Sequence, residues 1–195
     1  MSSSPDAQLR SPRGIPGEAG LWFFILADMT VFAVFFAITV VVRADQPAMF
    51  SASAGALHQG LGAANTALLL TGSALVALAV RAVRRDEHAL GARMMSAAIA
   101  CALGFIAIKG LEWGLLLNEG HSVSSNDFFQ LYFLLTGMHL VHVLVGTGAL
   151  LVVRRRVLSP VPATSDMQII EGGASYWHMV DLLWLVLFPL LYLIQ

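Results

Sequence analysis

Five stretches of this chain are long and apolar enough to cross a bilayer, and that constrains the fold more than any other feature. A spanning helix needs about 20 mostly apolar residues. The runs Leu21–Val42, Leu61–Val80, Met94–Leu117, Phe128–Val153 and Ser175–Ile194 each meet this requirement. Hydrocarbon offers backbone N–H and C=O groups no partner, so runs of this length close their hydrogen bonds internally as helices. The sequence therefore predicts an all-α membrane protein, a five-transmembrane-helix bundle. Charged residues make up 12% of the 195 and hydrophobic ones 57%, where a soluble domain carries about 25% charged. A net charge of −1 gives no electrostatic footing for nucleic acid. The single cysteine, Cys101, lies inside the third run and excludes a disulfide framework.

Residues 1–17 are rich in Ser, Pro and Arg, the composition of a disordered tail, and residues 18–195 read as one five-helix transmembrane domain. The first apolar run is too long for a secretory signal and ends without a small-residue cleavage site. The stretch after it, DQPAMFSASAGALHQG, reads as a short neutral loop. RRRVLSPVPATSDMQIIEGG, before the fifth run, reads as the longest loop, broken by two prolines. Orientation follows from the basic residues. Arg10, Arg13, Arg81, Arg84, Arg85, Arg93, Arg154, Arg155 and Arg156 all fall on one side, while Arg43 stands alone on the other. That pattern places the N-terminus in the cytoplasm and the C-terminus outside.

An ionisable side chain at membrane depth costs several kcal/mol unless it is paired, neutralised or hydrated, so the polar residues within the runs are the informative ones. The first run carries Asp28, with no basic residue within a turn on its own helix; burial holds it neutral, or it pairs with a histidine from another helix. The second carries Asn65 and Thr66. Lys109 and Glu112 in the third lie three residues apart, on one helical face, and read most simply as an intrahelical ion pair. In the fourth, Thr136, His139 and His142 lie near mid-membrane. His139 and His142 share a face, where they hydrogen-bond between helices or, less simply, ligate a metal or haem. In the fifth, Tyr176 precedes His178 and Asp181, which share a face in turn. Phe23, Phe24, Phe32, Phe35 and Phe36 read as lipid-facing or helix-contact aromatics. Gly137, Gly146 and Gly148 allow close helix approach. Trp22, Trp113 and Trp177 read as partly interfacial anchors, and Trp184 as too deep for one.

Each of the five runs carries a string similar to a known family. TGMHLVHVLVG resembles the Thr-Gly-Phe-His-x-x-His-Val-x-x-Gly motif of subunit III of the haem-copper oxidases, and EGGASYWHMVDLLWLVLFPLLYLI resembles that family's closing helix. ANTALLLTGSA, the stretch around Glu112, and FILADMTVFAVFFA resemble three further family segments in order, so that residues 17–194 are covered. Asp28 stands where the family usually has glutamate, Lys109 where it has glutamine, and Trp113 where it has tyrosine. The opening PGEAGLWFFILADMTVFAVFF is similar to a short branch found beside bacterial nitric oxide reductases, the E-type accessory proteins.

The resemblance implies a non-catalytic accessory subunit in the bacterial cytoplasmic (inner) membrane. Its partner would be the catalytic subunit of a haem-copper oxidase or nitric oxide reductase. No cofactor is expected in this chain: haem and copper or iron would sit in the partner. Membrane lipids, as bound phospholipid, would lie in a cleft of the bundle. Asp28, Asn65, Lys109, Glu112, His139, His142, Glu171, Tyr176, Trp177, His178 and Asp181 would form the polar interior, handling protons or lining that cleft. Two rival readings follow from the same residues: a membrane b-type cytochrome using His139, His142 or His178, and a small proton-coupled transporter.

Overall fold

A computed structural model describes residues 19–159 and 166–193. Its elements are α1 (Ala19–Asp45), a short α2 (Pro47–Ala54), α3 (Gln59–Val83), α4 (His88–Asn118), α5 (Asp127–Val157) and α6 (Asp166–Phe188), which runs into a π-helical turn at Pro189–Leu193. Five of these helices are long and apolar enough to span a membrane. The tail at 1–17, the prolines of the fourth loop and the last two residues lie outside the described residues.

The ends of the helices follow from local chemistry. α4 stops where Gly120 takes φ +86°. His121 N–H then bonds Leu116 O at 2.9 Å and Gly120 N–H bonds Leu117 O at 3.1 Å, a glycine-closed Schellman cap. α3 ends with the same pair of bonds, Glu87 N–H to Ala82 O and Asp86 N–H to Val83 O, both 3.0 Å. Here Asp86 holds φ 61°, a conformation aspartate tolerates better than most side chains. Asn126 caps α5 by accepting from Phe129 N–H at 3.0 Å. At Pro189 the ring removes an amide donor from the ladder, and the chain continues with wider π spacing.

Two stretches differ from their reading as loops. Residues 47–54 form α2, with Pro47 in the first turn, where its missing N–H costs nothing. α2 buries Phe50 and Ala54 and sets the Phe50 ring edge-on to Phe128, 4.8 Å between centroids. Asn126 Nδ2 also donates to Ser53 Oγ at 2.9 Å, so the cap of α5 doubles as the seat of α2. The fourth loop is shorter than its polar sequence suggested. α5 continues through Arg154–Arg156 to Val157, and α6 begins at Asp166, nine residues before Ser175.

α3 and α4 pack as a close antiparallel pair through small residues. A Cβ added at Gly91 would meet Val83 Cγ2 at 2.8 Å, and one at Gly72 would meet Cys101 Cβ at 3.4 Å. α6 lies against α3 and α5 and is the most buried of the spanning helices, while α1 is the least. Phe23 and Phe24 of α1 are exposed, whereas Phe32 is fully buried. Trp177 is no interfacial anchor. It is completely buried, with its ring where a Cβ on Gly146 would lie 3.0 Å from Trp177 Cε3. Gly148, two residues on, would have nothing within 4 Å of an added Cβ, so it makes no close helix contact here.

Candidate functional site

The polar residues of the spans gather into three groups inside the bundle. The first sits toward the end of α4 opposite the arginine-rich loops. Lys109 and Glu112 are both fully buried, and Lys109 Nζ lies 2.6 Å from Glu112 Oε2. Tyr192, on the π turn, completes the group: Lys109 donates to its hydroxyl at 2.8 Å, and that hydroxyl donates to Glu112 Oε1 at 2.7 Å. The ammonium also stands 4.6 Å from the centroid of the Trp184 ring and 5.3 Å from that of Tyr192, within cation–π range. A buried charge survives when it is paired and its remaining valences are filled, and this ring of partners does both.

The second group ties α1 to α5. His142 Nε2 lies 3.0 Å from Asp28 Oδ1, and His142 Nδ1 lies 2.6 Å from Met138 O. A carbonyl can only accept, so Nδ1 carries the proton, and Asp28 meets Nε2 as the charged or neutral partner. Phe32 closes over the imidazole edge-on, 5.4 Å between centroids. Asp28 thus pairs with a histidine on another helix, and its second oxygen is buried without a hydrogen-bond partner among the described residues.

The third group lies between α3 and α6 toward the arginine-rich end. Ser73 Oγ is 2.6 Å from His178 Nδ1, and Asp181 follows His178 by three residues on the same side of α6. A crevice of about 260 Å³ runs from this group to the surface, lined by Arg81, Arg84, Glu171, Ser175 and His178 among others. Arg84 and Glu171 pair across its rim at 2.8 Å.

His139 and His142 do not act together. Three residues on a helix leave about 60° between side chains, enough to give them different neighbours. His142 turns toward α1. His139 is fully buried between Phe105 and Trp184, centroids 5.6 and 5.3 Å away, and both its ring nitrogens lack a partner among the described residues. Asn65 is likewise fully buried, with neither amide atom bonded. Tyr176 packs by its ring against Phe24. Among the described residues, no three His, Cys, Asp or Glu side chains converge closely enough to hold a metal ion.

Sequence reasoning overlooked Tyr192, Ser73 and Arg84 as members of these groups. Tyr192 and Ser73 look ordinary beside charged residues in an apolar run, and Arg84 read only as a topology signal. Ser73 carried one usable sign, since it follows Gly72 in the string that resembles a family segment.

The sequence profile of cytochrome c oxidase subunit III matches residues 13–195. The chain belongs to that family. Within the subunit III family it is 30% identical to cytochrome c oxidase subunit 3 of Corynebacterium diphtheriae, covering 91% of this chain and 88% of that one. It is 27% identical to quinol oxidase subunit 3 of Bacillus subtilis, covering 98% and 94%. A haem-copper oxidase subunit I+III of Aeropyrum pernix is 28% identical over 91% of this chain, which spans only 22% of that longer relative. The subunit III strings fall on the three polar groups: Asp28 on α1, Ser73 on α3, Glu112 on α4, His142 on α5, and His178 with Asp181 on α6.

Proposed function

We propose that this chain is the non-catalytic third subunit of a haem-copper respiratory complex in the bacterial cytoplasmic membrane. The profile match across nearly the whole chain is the observation that carries the reading. The polar groups support it, because each is built as a hydrogen-bonded helix contact or a charge pair. In the Aeropyrum pernix relative, subunits I and III are named as one polypeptide, which favours a catalytic, subunit-I-type partner held against the helices. Haem, with copper or iron, would belong to that partner. Bound phospholipid would fill clefts between helices, and α1, the least buried span, offers the largest lipid-facing wall. Asp28, Lys109 and Trp113 depart from the usual oxidase residues and favour the short branch beside nitric oxide reductases.

Extraction in a mild detergent tests this. A larger haem protein should co-purify with the chain at native expression, and a harsh detergent should release the chain intact and colourless. Consumption of nitric oxide rather than oxygen by the purified complex would assign the branch. A chain that runs alone under the mildest conditions, or carries haem in its own stoichiometry, would overturn the reading.

A further inference from the structure

We propose that the π turn at Pro189–Leu193 is a hinged latch over the buried Lys109–Glu112 pair, with Pro189 as the hinge and the Tyr192 hydroxyl as the catch. The latch belongs to this chain alone and does not depend on the accessory-subunit reading.

The catch is a three-way contact. The Tyr192 hydroxyl accepts from Lys109 at 2.8 Å and donates to Glu112 at 2.7 Å, and it lies 3.4 Å from the Tyr132 hydroxyl. Gln59, the first residue of α3, holds the same turn by its backbone, donating through Nε2 to Tyr192 O at 3.1 Å. The phenol ring fits because residue 62 is glycine. An added Cβ there would lie 2.9 Å from Tyr192 Cε1 and 2.9 Å from Phe188 Cε2. Tyr192 is fully buried, whereas Leu193 beside it is 54% exposed, so the catch sits one residue from the surface of the bundle.

The hinge accounts for the π spacing. Trp184 and Tyr192 both face Lys109, with ring centroids 4.6 and 5.3 Å from Nζ. They are eight residues apart, and a straight α-helix would leave about 80° between side chains at that separation. A turn closed by i→i+5 bonds sweeps less angle per residue. The step from Phe188 to Tyr192 through the π turn therefore brings the phenol back to the Trp184 face, with the Phe188 and Tyr192 rings 5.4 Å apart. Pro189 offers no amide donor, so the turn is joined to α6 by fewer backbone bonds than a continuous helix would have. Its seating then rests on Tyr192 and Gln59. Segments tied down in this way open locally at less cost than the whole fold, and opening here takes away the third partner of a buried ion pair. Closure of the turn and completion of the pair are one event.

Hydrogen–deuterium exchange of the full chain in lipid nanodiscs, read by mass spectrometry on the peptide that contains Leu190–Leu193, tests the latch. Tyr192→Phe keeps the ring and removes only the hydroxyl. It should speed exchange of that peptide at least tenfold, with the interiors of α3 and α5 unchanged. Replacing the pair by apolar residues, Lys109→Met with Glu112→Leu, leaves no stranded charge and should speed exchange equally. Adding Tyr192→Phe to that chain should then change nothing. Pro189→Ala restores the donor and allows a straight helix that turns the phenol away, so Tyr192→Phe should be silent in that background too. Equal exchange in wild type and Tyr192→Phe overturns the proposal. So does a tenfold effect of Tyr192→Phe that persists without the pair or in Pro189→Ala. If the pair replacement or Pro189→Ala fails to insert, the single Tyr192→Phe comparison decides alone.

Discussion

At Lys109 the chain puts an ammonium inside a span, and the residues around it show what that demands. Glu112, Tyr192, Tyr132 and Trp184 all turn toward the one nitrogen. Removing one member of a buried pair strands the other, a loss of about 3–5 kcal/mol, whereas removing both is often nearly neutral. Glu112→Gln and Lys109→Gln should therefore each destabilise the chain by roughly that amount, and the double variant by much less than their sum. Thermal unfolding of the four proteins in one detergent checks it, and additive losses would show that the pair is not coupled. Asp28 poses a different question. With the proton on Nδ1, Asn at this position can still donate its amide N–H to Nε2 of a neutral His142, so Asp28→Asn should change stability by less than about 1 kcal/mol, below the 1.5–3 kcal/mol of a bond to a charged group. It should nevertheless shorten sustained turnover of the complex, because it removes the ionisable group. Turnover and lifetime equal to wild type would leave Asp28 a hydrogen-bonding partner alone. Both pairs illustrate what the sequence does and does not carry. The intrahelical pair was legible because residues at i and i+3 share a face, while the choice of His142 over His178 as Asp28's partner depends on how α1 sits across α5, which no local pattern encodes.

Hydropathy marks a spanning helix well and its inward face poorly, because lipid tails are as apolar as a bundle core. Gly146 and Gly148 of α5 show the consequence. They read alike in the sequence, yet one seats Trp177 and the other faces open space. Gly173 of α6 is tighter still: an added Cβ would lie 2.6 Å from Val153 Cγ2. Gly173→Ala should destabilise the α5–α6 contact by about 1–3 kcal/mol, the usual penalty for overpacking. Gly148→Ala should be neutral or stabilise by up to about 1 kcal/mol, as alanine replaces glycine within a helix. Resistance to unfolding in detergent ranks the two, and a reversed order would contradict the packing at both positions. The start of α6 was hidden for another reason. Polar residues such as Asp166, Gln168 and Glu171 end an apolar run without ending a helix, and Glu171 is held inside α6 with Arg84 as its partner. α2 was hidden because eight residues with Pro at the first position read as a turn, although the apolar Phe50 and Ala54, one turn apart, mark a packed face.

On the scale of the whole molecule, the arrangement of charge makes a claim that packing alone does not. The α3–α4 connection and the last turn of α5 carry Arg84, Arg85, Arg154, Arg155 and Arg156, and they lie at one end of the bundle because α3, α4 and α5 alternate in direction. The opposite end holds Glu119 and Asp127, with Arg43 its one arginine or lysine among the described residues. A positive excess in short loops is retained on the cytoplasmic side during insertion, and the bias counts only residues close to the spans, as all of these are. Five spans also place the two ends of the chain on opposite sides. A reporter fused after Gln195 should therefore be active only outside the cytoplasm, and one inserted between Arg84 and His88 only within it. The charge argument is tested separately by exchanging Arg154, Arg155 and Arg156 for glutamine. Arg81, Arg84, Arg85 and Arg93 still hold the α3–α4 connection, so the fusion after Gln195 should keep its location, with at most a minor inverted population. Full inversion on loss of three arginines would mean that the α5–α6 connection dominates orientation. Activity of both wild-type fusions on one side would remove a span, and with it the placement of the crevice lined by Arg84, Glu171 and His178 on the cytoplasmic side.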